Sequence, residues 1–119
     1  MPTMRINLDR SSTAGADDLR SHAETIDLSE GTSLGEVVAF LRQRGYLPKV
    51  DGGKATWVLE AGDEAVAVIA QQWPEPKFVV NQKKKIGSYG EGVSLEFKYR
   101  AQIDPDDLFD TLVEGRKRS

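Results

Sequence analysis

The chain has 119 residues, 39% of them apolar, with 16 basic and 19 acidic side chains for a net charge of −3 and a pI near 5.2. It contains no cysteine and one histidine, His22, which excludes thiol nucleophiles, disulfides and Cys/His zinc sites. The weak acidity disfavours a general nucleic-acid binder, and no apolar run reaches the roughly 18–20 residues of a membrane span.

The N-terminus, Met1-Pro2-Thr3-Met4-Arg5, has no apolar core of a signal peptide, so a cytoplasmic protein is expected. Met4, Ile6 and Leu8 alternate with polar residues and predict a first strand. Residues 10–21 are polar and small and predict a long loop. Ile26 and Leu28 alternate again, as a second strand, and Gly31 marks a turn.

Ser33 and Glu36 have capping-box spacing ahead of Leu34, Val37, Val38 and Leu41, which share one helical face. Arg42 and Arg44 suit the helix C-terminus, Gly45 suits the C′ position, and Pro48 prevents continuation. Gly52-Gly53 reads as a turn. Ala55 to Glu60 predicts a strand with Trp57 and Leu59 on one face, followed by a short hairpin loop over 61–64. Ala65 to Ala70 is almost continuously apolar and predicts a central strand buried on both faces.

Trp73-Pro74-Glu75-Pro76 breaks that strand, because proline cannot donate to a ladder. Phe78 to Val80 predicts a short strand, and residues 83–92 a basic, glycine-containing loop. Val93, Leu95, Phe97 and Tyr99 alternate with polar residues as a half-buried strand. Asp104 and Pro105 have the N-cap and N1 positions of a second helix, with Gly115 as its end and residues 115–119 as a basic tail.

The expected fold is a single α+β domain over residues 1–119, in the order β-β-α-β-β-β-β-α. An antiparallel or mixed sheet of five to six strands would carry two helices. The first five elements resemble the order of the β-grasp, or ubiquitin-like, fold. Ubiquitin-like sulfur carriers end in an activated Gly-Gly, whereas this chain ends in Arg118-Ser119, so that activity is not implied.

Three surface features could carry function. Asp106, Asp110 and Glu114 stack at i, i+4, i+8 on the second helix, with Asp107 beside them. Like charges at that spacing cost about 0.2–0.5 kcal/mol per pair. They form either a solvated face with acids favouring the helix N-terminus, or a negative surface for a basic partner. Lys83, Lys84 and Lys85 with Tyr89 form either a solvated loop or an anion and nucleic-acid contact; the glycines fit neither the P-loop nor the dinucleotide spacing. Trp73, beside Glu75, is either a lid on the core or an interface residue.

Glu60, Asp63 and Glu64, and Asp104, Asp106 and Asp107, are acidic clusters without a calcium-loop pattern. His22 lies in a polar stretch with no nucleophile motif nearby. No catalytic residue, metal or cofactor is expected. The preferred reading is a small non-catalytic protein-binding protein, an inhibitor or immunity-type protein that neutralises a toxin or nuclease through Asp106, Asp107, Asp110, Glu114, Trp73, Glu75 and Tyr89. The alternatives are a nucleic-acid-associated module using Lys83–Lys85, and a carboxylate- or metal-dependent enzyme.

Overall fold

In the computed structural model, residues 3–10, 23–47, 55–100 and 104–118 are described, with side chains to 115. The elements are β1 (Thr3–Arg10), β2 (Glu24–Ser29), α1 (Leu34–Arg44), β3 (Thr56–Ala61), β4 (Glu64–Ala70), β5 (Lys77–Phe78), a 3-10 turn (Ile86–Tyr89), β6 (Ser94–Tyr99) and α2 (Pro105–Arg118). They form a six-stranded mixed sheet, ordered β2-β1-β6-β3-β4-β5, with two helices. Strand β6 lies between the two strand pairs, parallel to β1 and antiparallel to β3. The β-β-α-β-β order expected for the first five elements is present, with β6 inserted at the middle of the sheet.

Alternation in the sequence divides the sheet into two faces. Met4, Ile6, Leu8, Trp57, Leu59, Ile69, Leu95 and Phe97 share one core with Leu34, Val37, Val38 and Leu41 of α1. Each of those four helix side chains is fully buried, and each contributes about 1.5–3 kcal/mol by leaving water. The Ser33–Glu36 capping box forms as expected, and Gly45 takes the left-handed conformation at φ 79°. On the other face Val58, Val68 and Leu108 form a smaller cluster, against which Phe109, Leu112 and Trp73 pack partly.

Several expectations need correction. Arg10 belongs to β1, while residues 11–22, including His22, and Gly52-Gly53 lie outside the described residues. Strand β4 is buried on both faces as predicted but is not central; only two-residue β5 lies beyond it, and α2 covers its outer face. The strand expected over Phe78–Val80 pairs through Lys77 and Phe78 instead. The 83–92 segment is not a free loop. Ile86 is fully buried, and its N–H donates to the Thr32 carbonyl at 2.7 Å. Gly87 N–H donates to Glu30 at 3.0 Å, and Ser33 bridges Lys85. Helix α2 does not stop at Gly115 but continues to Arg118, so the basic tail expected over 115–119 is helical through 118.

Candidate functional site

Helix α2 carries the acids Asp106, Asp107, Asp110 and Glu114. Asp104 caps it, accepting from the N–H groups of Asp106 at 2.8 Å and Asp107 at 3.3 Å. Those bonds satisfy donors that a helix start leaves orphaned. Leu108, Phe109 and Leu112 turn towards β3 and β4, so the 3.6-residue period sends Asp106, Asp107, Asp110 and Glu114 to solvent. All four are exposed.

Asp106 alone among them has a charged partner in the described residues. The Lys77 ammonium lies 2.7 Å from its carboxylate. The same ammonium sits 4.6 Å from the Trp73 ring centroid and 5.8 Å from that of Phe109. An acid and two π-faces therefore surround one cation. Asp107, Asp110 and Glu114 have no ion pair among the described residues.

The Trp73 side chain is half-buried against the α2 cluster, in keeping with a lid. Its carbonyl accepts from Arg42 at 3.1 Å. Glu75 is exposed in the same corner and has no ion-pair partner among the described residues. The fold thus brings Trp73 and Asp106 together through Lys77. Lys77 was missed in the sequence, where it reads as one more solvated lysine; the only signal was its alternation with Phe78.

Tyr89 stands against the start of β4. Its hydroxyl lies 3.3 Å from a Glu64 carboxylate oxygen, and the Lys84 ammonium lies 4.4 Å from its ring centroid. Burial pushes its phenol pKa upward. A ring so placed is half-buried, with the Lys84 ammonium against it. The lysine triplet is divided in the same way. Lys84 also reaches Glu64 at 3.9 Å, and the Lys85 ammonium donates to the Gly31 carbonyl at 3.1 Å. Only Lys83 is exposed without a side-chain partner among the described residues.

The hairpin carboxylates Glu60 and Glu64 take separate partners as well. Glu60 pairs with Lys98 at 3.2 Å and Glu64 with Tyr89 and Lys84. Among the described residues no three His, Asp or Glu side chains converge into a metal-holding group. No described helix is long and apolar enough to cross a membrane.

No family model matches the chain, and no curated protein is significantly similar to it. A superantigen-like protein from Staphylococcus aureus, solved in complex with sialyl-Lewis X, is similar at 15% identity with a TM-score of 0.39. The similarity covers 83% of this chain and 52% of that one, so the chain spans about half that protein's length. A likeness of this size carries neither fold nor ligand across.

Proposed function

We propose that this is a cytoplasmic, non-catalytic protein-binding protein whose α2 acids dock a basic partner, in the manner of an inhibitor or immunity-type protein covering the cleft of a toxin or nuclease. The observation that carries the reading is the row Asp107, Asp110 and Glu114, exposed and without counter-ions in the described residues. Like charges at helical spacing oppose helix formation, and a basic surface would relieve that repulsion. Such a surface also steers encounter, so its contribution is expected in the association rate and in its salt dependence. Trp73 and Glu75 lie at the β5 corner, where Asp106 begins the row. The engagement of Lys84 and Lys85 within the fold leaves the nucleic-acid reading with less support.

The test is the triple variant D107N/D110N/E114Q. Partner affinity is expected to fall and to lose most of its salt sensitivity. Unchanged affinity would reject the α2 docking surface.

A further inference from the structure

Residues 73–84 run alongside α1 as a strap fixed to it at both ends. At one end the Arg42 guanidinium donates to the Trp73 carbonyl at 3.1 Å and to Pro74 at 3.5 Å. At the other end Leu34 N–H donates to the Lys84 carbonyl and Gly35 N–H to Gln82, both at 2.9 Å. The anchors lie seven residues apart on the helix, about 10 Å. Between them is a cleft of about 530 Å³.

The helix wall of this cleft carries Gly35 and Ala39, one turn apart and both small, which is why it does not close. The strap wall carries Phe78 and Val80, with Glu75 and Gln82 towards the ends. The strap is also the edge of the sheet. Val79 N–H donates to Val66 at 2.8 Å, and Phe78 pairs with Ala67. In an antiparallel ladder, neighbours of an inward-bonded residue turn their N–H and C=O outward. The backbone groups of Phe78 therefore face the open edge. Neither Phe78 nor Val80 has a hydrogen-bond partner there among the described residues. Glu75 and Lys83, at opposite ends of the strap, are exposed and without ion-pair partners among the described residues, one negative and one positive.

We propose that this groove takes an extended peptide segment, added as a strand to the edge at Phe78, with a basic residue against Glu75 and an acidic one against Lys83. An outward-facing strand edge is matched by another strand, and the adjoining cleft, with Phe78 and Val80 on its wall, holds alternate side chains. The strap is held at both ends before binding, so little ordering is needed. This site shares Glu75 with the corner beside α2 but uses none of Asp107, Asp110 and Glu114.

The test is selection of a displayed library of random octapeptides on the intact protein, with A39W as a parallel target. Ala39 is exposed, so the indole fills the cleft without entering the core. Wild type is expected to enrich peptides with β-branched or aromatic residues at alternate positions, a Lys or Arg at one end and an Asp or Glu at the other. A39W is expected to bind the best of them at least about tenfold more weakly. E75K, which keeps Phe78, Val80, Gly35 and Ala39, is expected to exchange the basic preference for an acidic one. D107N/D110N/E114Q is expected to bind them as wild type does, which separates this site from α2. The proposal is overturned by no enrichment, by equal binding to A39W, by an unaltered end preference on E75K, or by undiminished binding of a peptide N-methylated at alternate amides.

Discussion

The Lys77 ammonium lies between the Asp106 carboxylate, 2.7 Å away, and the Trp73 ring, whose centroid is 4.6 Å away. One side chain thus ties the sheet edge, the proline-flanked corner and the first turn of α2 together. The hydrophobic cluster beneath α2 does most of the docking, and this exposed contact adds a smaller attachment at the start of the helix.

Lys77→Ala is expected to cost about 1 kcal/mol, the sum of an exposed ion pair and an exposed cation–π contact. D106N removes only the ion pair and is expected to cost about 0.5 kcal/mol, with the difference vanishing at high salt. Denaturant titrations of the two single variants and the double variant check this. Additive losses would show that the Lys77–Asp106 contact contributes nothing.

Two glycines should respond oppositely to alanine. At Gly87 a Cβ would stand 2.7 Å from the Glu30 carbonyl oxygen, so G87A is expected to destabilise by about 1–3 kcal/mol. At Gly115 a Cβ would meet nothing within 4 Å. Because α2 runs through it, G115A is expected to stabilise by about 0.5 kcal/mol. A loss of stability at position 115 would mean that the helix ends there.

The Thr56 hydroxyl is buried with no hydrogen-bond partner among the described residues. An unsatisfied buried polar group costs about 1–3 kcal/mol. Thr56→Val keeps the shape and removes that atom, so it is expected to raise stability by about 1 kcal/mol in thermal or chemical unfolding. A destabilised variant would reveal a partner for the hydroxyl.

Tyr46 is half-buried with its ring edge-on to Phe97, and burial pushes its pKa up to about 12 from 10.0, with Asp9 adding to the shift. Above pH 10 the unfolded chain loses a proton that the folded chain keeps. Stability should therefore decline as pH rises from about 10 to about 12, and level off beyond. Tyrosinate absorbance should show a late-titrating phenol that Y46F removes.

Where a short stretch of sequence held the whole signal, it was legible. The Ser33–Glu36 box, the Gly45 cap and the alternations of β1 and β6 depend on neighbours within one or two turns. The apolar run over Ala65–Ala70 likewise announced a strand buried on both faces, though its place in the sheet depends on β5 and α2. Distant partners were not legible. Lys84 and Lys85 read as a basic patch, but the corner at residues 30–34 and Glu64 engage them. Ile86, one apolar residue amid lysines and glycines, was the local sign that this segment docks on the core. Gly115 read as a helix stop because glycine favours that role locally, yet no left-handed turn forms there. The acidic period of α2 was legible in full, but the pairing of Asp106 with Lys77 was not.

The most direct test of the α2 docking surface is a nuclease-treated pull-down from native cells, run side by side with wild type and D107N/D110N/E114Q. One stoichiometric basic protein is expected with wild type, released by salt and lost from the triple variant. Recovery of the same partner by both proteins, or of nucleic acid alone from a sample without nuclease treatment, would contradict it.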